Sequence, residues 1–135
     1  MADVVSQRLR HKVRSRAGDQ CEYCLLPAWA LLAGCEMDHV ISRKHGGKTD
    51  QANLALSCAR CNRAKGSDIG SMVCVGAQFS RLFNPRTDRW DEHLKLDGAR
   101  LVGRTIIGEV TIKLLRLNDE DRIMERMLLQ RLGEY

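Results

Sequence analysis

Two Cys-x-x-Cys pairs, Cys21/Cys24 and Cys58/Cys61, constrain this chain more than any other feature. Each pair puts two thiolates on one tight turn, and two such turns complete a tetrahedron around one ion. The spacing therefore predicts a closed four-cysteine zinc site that is structural, because it leaves no coordination position for water. Redox-active dithiols are the alternative, but two pairs bracketing one segment are explained more simply by one metal. Zinc in such sites supplies about 10–16 kcal/mol of apparent binding energy. Whole-domain stabilities are only about 5–15 kcal/mol, so the fold between the pairs should depend on the ion. The remaining cysteines, Cys35 and Cys74, have no partner at a useful spacing and are expected as buried small hydrophobes.

A chain of 135 residues suits one domain with a small appendage, and aromatics at 4% make its core aliphatic. The sequence has no apolar run of about 18 residues, so no transmembrane span is expected. Its N-terminal stretch is basic rather than apolar, unlike a secretory signal. A cytoplasmic protein is expected, where thiols stay reduced and metal-bound. The formal net charge of +5 favours a polyanionic partner.

Hydrophobic periodicity organises the rest. Val5, Leu9, Val13 and Ala17 mark one stripe of a helix over residues 4–17, with Gly18 as its stop. Arg8, Arg10, Lys12, Arg14 and Arg16 fall mainly off that stripe, so residues 1–18 form a basic helical region whose charge is either solvated or phosphate-facing. Residues 25–34 read as a loop or short turn. Residues 36–41 suit a strand, 42–50 a Gly-rich basic loop, 54–56 a second strand, and a helix starts at Asn62. On a regular strand Asp38 and His39 point to opposite sides. Residues 69–83 fit a helix interrupted by Gly76, without a clear period. Asp97-Gly98 predicts a hairpin over about 90–105. Helices follow at about 107–117 and 119–133, the last with Asn118 as N-cap and carrying Ile123, Met127 and Leu128. The fold class is α+β.

Between and after the cysteine pairs lie Asp38-His39-Val40-Ile41, Gly46-Gly47, Asn53-Leu54, Asn62 and Lys65. With the pairs themselves, this order resembles the HNH endonuclease family over about residues 19–68. The resemblance implies a ββα-metal (His-Me finger) core over 19–70, with 71–135 as an extension outside it. It implies that His39 is the general base, that Asn53 holds the His39 loop in shape, and that Asp38 and Asn62 ligate a catalytic metal. The family's usual second histidine would fall at position 62, so this chain resembles its H-N-N branch. An Asp carboxylate and an Asn carbonyl are hard oxygen donors, suited to Mg²⁺ or Mn²⁺ rather than a softer metal.

The chemistry required agrees with these residue types. Phosphodiester hydrolysis needs a deprotonated water, and imidazole is the side chain that ordinarily titrates near neutrality. It also needs charge neutralisation at the phosphate and the leaving oxygen. Arg43, Lys44, Arg63 and Lys65 are candidate phosphate contacts. His45 reads as a loop side chain; Arg86, Arg89 and His93 either line a DNA groove or pack structurally. The expected activity is single-metal hydrolysis of DNA, double-stranded by preference, leaving 5′-phosphate and 3′-hydroxyl ends. The rivals are a non-catalytic zinc-dependent DNA-binding module and an RNA-directed nuclease or toxin. Scarce aromatics weigh against single-stranded RNA, which is commonly bound by stacking.

Overall fold

In the computed structural model, which describes residues 4–135, a helix, a strand–loop–strand–helix unit, two further hairpins and C-terminal helices pack around a main buried cluster and a smaller one under the first helix. The first three residues of the expected 1–18 basic region lie outside the described residues.

Helix α1, Gln7–Ala17, begins where the Ser6 side chain accepts the Leu9 N–H and ends at Gly18, whose φ of 67° closes the C-terminus. Its Leu9 and Val13 pack on Leu54 and Leu56, with Cys35 and Met37 beside them. Strands β1, Cys35–His39, and β2, Leu54–Cys58, are antiparallel, with Cys35 opposite Cys58 and His39 opposite Leu54. Alternation sends Met37 and Leu56 toward α1 and Asp38 toward the other face. Helix α2, Ala59–Lys65, follows β2 directly. It starts three residues earlier than the spacing predicts, because Cys58 acts as its N-cap and accepts the Cys61 N–H at 3.4 Å. The second cysteine pair is therefore itself a helix start.

Residues 69–83 are not a helix. They form a small hairpin of β3, Gly70–Ser71, and β4, Ser80–Arg81. A Cβ on Gly70 would lie 2.5 Å from the Phe79 ring, so the close approach selects glycine. The expected hairpin at Asp97-Gly98 is present as β5, Leu94–Asp97, and β6, Arg100–Gly103. Gly98, at φ 62°, supplies the left-handed residue of a two-residue loop. Residues Trp90–His93 ahead of it are a single helical turn, α3, rather than strand. Helix α4, Ile106–Leu114, is capped by Thr105, and α5 spans Glu120–Arg131 after Asp119. Asn118 does not cap α5; its carboxamide accepts the Leu101 N–H and donates to the Leu101 carbonyl, tying the hairpin to the α4–α5 turn.

Helix α5 also faces inward with different residues than its apolar pattern suggests. Arg122, Arg126 and Leu129 are buried, while Met127 and Leu128 are exposed. Burying two guanidinium groups is tolerable because each is hydrogen-bonded. Arg126 donates to the carbonyls of Ala99 and Leu117 at 2.6 and 2.7 Å. Arg122 reaches the Leu115 carbonyl at 2.8 Å and the cysteine cluster.

One buried cluster mixes residues from the expected core and extension: Cys21, Tyr23, Leu26, Val40 and Ala55 with Leu82, Phe83, Leu101, Val110, Leu117 and Leu129. The segment after residue 70 is thus part of the packing that holds the cysteines and strands. No helix among the described residues is long and apolar enough to cross a membrane.

Candidate metal centres and active site

The four cysteines Cys21, Cys24, Cys58 and Cys61 are buried, and their sulfurs lie within 4.8 Å of one another. The Cys24–Cys58 separation is 3.8 Å. A tetrahedron with Zn–S bonds of about 2.3 Å has edges of about that length, so the cluster fits zinc. Backbone N–H groups of Cys24 and Cys61 point at the sulfurs of Cys21 and Cys58 at 3.5 and 3.4 Å. The first knuckle holds Leu25 at φ 65°, a left-handed turn in a non-glycine residue. Arg122 donates to Cys61 Sγ at 3.1 Å, with Cys58 Sγ at 3.8 Å. Burial disfavours its charge, but the cluster sulfurs, Cys61 foremost, outweigh that and raise its pKa. A zinc ion held by four thiolates forms a unit of net negative charge, and Arg122 offsets it from the far end of the chain.

The other two cysteines do not behave as expected. Cys35 is only half-buried, its thiol pushed up to about 12 first by burial and then by the cluster cysteines. Cys74 is exposed, in the turn between β3 and β4 rather than in a helix.

Asp38 and His39 end β1 but differ in environment. Asp38 is 3% exposed; its Oδ2 accepts the Tyr23 hydroxyl at 2.6 Å and its Oδ1 accepts Lys65 Nζ at 3.2 Å. Burial pushes the carboxyl up, while Lys65 and Tyr23 pull it back only partly. The Tyr23 phenol is raised as well, by burial and then by Asp38. Lys65, expected to touch DNA phosphate, is 2% exposed and spends its ammonium on Asp38 and the His39 carbonyl, the latter at 3.0 Å. It is removed from the phosphate-binding set, because a lysine this deep joins α2 to the end of β1.

His39 is partly exposed, and its Nε2 lies 2.8 Å from Thr49 Oγ1. The loop carrying Thr49 is braced by Asn53. The Asn53 side chain accepts the Ile41 N–H at 2.9 Å and donates to the carbonyls of Ile41 and Lys48 at 2.8 and 2.9 Å. Gly47 lets the loop close: a Cβ there would lie 1.7 Å from the Ile41 carbonyl oxygen. His45 donates from Nε2 to the Ser67 carbonyl at 3.0 Å, tying the loop to the end of α2.

Asn62 sits in the first turns of α2, and its Nδ2 donates to Glu36 Oε1 at 2.9 Å. Glu36 shares the α2-facing side of β1 with Asp38, two residues on. Asp38, Glu36 and Asn62 would offer an ion hard oxygen donors, while among the described residues the only convergent group of three or more His, Cys, Asp or Glu ligands is the four cysteines. Arg43, Lys44 and Arg63 are exposed. Arg86 is nearly buried and ion-paired with Glu22, whose Oε2 also accepts the Leu56 N–H. His93 is likewise packed, on Thr105 at 2.7 Å, and Arg89 is exposed.

Sequence reasoning missed Glu36, Thr49 and Arg122. Strand alternation from Asp38 points to Glu36. Thr49 and Arg122 carry no spacing signal, since both depend on a loop path and a helix rotation.

The strand–loop–strand–helix unit, the cysteine cluster and the Asp-His/Asn/Asn order coincide with a family match: the model of the HNH endonuclease family matches residues 21–68. The Septu protein PtuB of Bacillus thuringiensis is 33% identical to this chain over 78 residues, which is 57% of this chain and 28% of that protein. The chain therefore spans well under half of that relative's length. No solved structure matches it.

Proposed function

We propose that this protein is a DNA endonuclease in which His39 is the general base and a zinc-stapled ββα-metal core presents it to the scissile phosphate. The observation that carries the reading is the His39 ring at the end of β1, next to a loop that Asn53 braces at three points. Thr49 Oγ1, held beside Nε2, can accept an Nε2–H. That tautomer leaves Nδ1 with its lone pair to take a proton from water. As the proton leaves, the water oxygen bonds to phosphorus and the P–O3′ bond breaks; the departing 3′ oxygen takes a proton from solvent water, giving 5′-phosphate and 3′-hydroxyl ends.

Asp38 and Asn62 are the residues proposed to hold a divalent ion. Such an ion, when bound, supplies charge neutralisation at the phosphate and the leaving oxygen. Glu36 keeps the Asn62 amide oriented and adds a carboxylate beside it, which matters because Asp38 already shares its charge with Lys65. Arg43, Lys44 and Arg63 bind flanking phosphates.

The test is cleavage of supercoiled plasmid by the zinc-loaded protein across a Mg²⁺ series, with EDTA as control. Asn62→Ala should shift the Mg²⁺ dependence to at least several-fold higher concentration while DNA binding without added Mg²⁺ stays the same. An unchanged Mg²⁺ curve removes Asn62 as a ligand. Absence of cleavage at every Mg²⁺ or Mn²⁺ concentration favours the non-catalytic zinc module, and preferential cleavage of competing RNA favours the RNA-directed reading.

A further inference from the structure

The chain has 22 lysines and arginines against 17 aspartates and glutamates. Helix α1 holds five of those cations, Arg8, Arg10, Lys12, Arg14 and Arg16, and no acidic residue. The rest of the chain is therefore charge-balanced, and the whole positive excess sits on one helix. Outside α1, several cations are either buried or neutralised by a neighbouring carboxylate. Lys65, Arg122 and Arg126 are buried, and Arg60 and Arg81 are ion-paired with Asp121, Glu125 and Asp88. The contrast in surface charge is thus larger than the count suggests.

Position gives this charge a use. Helix α1 packs on the β1–β2 face that also holds Met37 and Leu56, next to the strand end where His39 lies opposite Leu54. Arg16 donates to the Leu54 carbonyl at 2.6 Å, so the C-terminal end of α1 abuts the strand position facing His39. From there Lys12 and Arg8 recede along the helix in steps of about 6 Å. Arg8, Lys12 and Arg14 are exposed and have no ion pair among the described residues.

We infer that the outer face of α1 is a nucleic-acid docking surface that binds the phosphate backbone of the duplex and guides it to the His39 site. The inference rests on the nuclease reading for its direction, and its partner follows from charge complementarity. An anionic membrane is the poorer fit. The apolar stripe of α1 is already used against β2, and the outer face, with Arg8, His11, Lys12 and Arg14, has nothing apolar to insert into lipid.

The triple variant Arg8→Gln, Lys12→Gln, Arg14→Gln tests this. It leaves Ser6, Leu9, Val13 and Arg16 intact, so the zinc content and melting temperature should match the wild type. Binding to a fluorescent 30-base-pair duplex without added Mg²⁺ is then followed by anisotropy over a salt series. The variant should bind at least tenfold more weakly. Its plot of log affinity against log salt should be shallower by about 2–3, from about 0.9 for each phosphate no longer neutralised. Equal affinity and slope in a folded variant overturn the inference, as does wild-type binding to phosphatidylserine vesicles without binding to DNA. Weakened DNA binding by the variant with no cleavage by the wild type would sink the nuclease reading and leave the docking surface standing. Unchanged binding with His39-dependent cleavage would do the reverse.

Discussion

Asn53 makes three backbone hydrogen bonds with one carboxamide, and Gly47 beside it leaves no room for even a methyl group. Those two residues explain why the loop after His39 has one shape. The same economy appears at Asp88, whose carboxylate accepts Arg81 through both terminal nitrogens at 2.6 and 2.9 Å and the Asn84 N–H at 2.9 Å. The Arg81 hydrogen bonds hold its pKa below the usual aspartate value. The unfolded chain therefore takes up a proton at higher pH than the folded one. This stabilisation is fully present above the unfolded value of about 3.9 and is lost as pH falls through the lower folded value. Asp88→Asn should lower stability by about 1–2 kcal/mol at pH 7. The difference in melting temperature from the wild type should narrow below about pH 4; a pH-independent difference would mean that the Asp88 charge does not stabilise the fold.

Among the elements, the cysteine pairs, α1, the two strands and the Asp-Gly hairpin were legible, because each rests on a local period or spacing. Helix α5 was not. Its apolar residues pointed to one face, yet the buried face carries Arg122 and Arg126. A guanidinium is buried only where acceptors wait, and here these come from loops and thiolates distant in sequence. The β3–β4 hairpin was missed for a related reason: two-residue strands are too short to show a period. Among candidate residues, the pattern singled out His39 and Asn53 in the loop region that Asn53 braces, but could not tell that Lys65 turns inward to Asp38. Arg122→Met should speed zinc loss to a chromogenic chelator by about tenfold or more. It should also destabilise the fold by about 3–5 kcal/mol, because a buried charge pair is broken. Wild-type release kinetics would mean that α5 does not support the metal.

For the molecule as a whole, core and extension are one packing unit. Tyr23, inside the first cysteine pair, links three of its parts. Its hydroxyl reaches Asp38, its ring meets Phe83 edge-on at 6.4 Å, and its carbonyl accepts the Trp90 indole N–H. The last residue closes the same unit, with the Tyr135 hydroxyl on the Cys24 carbonyl at 2.7 Å. The cysteine cluster, strands and C-terminal helices thus hold His39 in one packed frame, while the charge lies on α1. The most direct test is the single-turnover cleavage rate of plasmid by zinc-loaded wild type and by His39→Ala, at matched zinc content and melting temperature. Loss of the general base should slow cleavage by about 10²–10⁴-fold. Cleavage by the His39→Ala protein at the wild-type rate would contradict the assignment of His39 as the base.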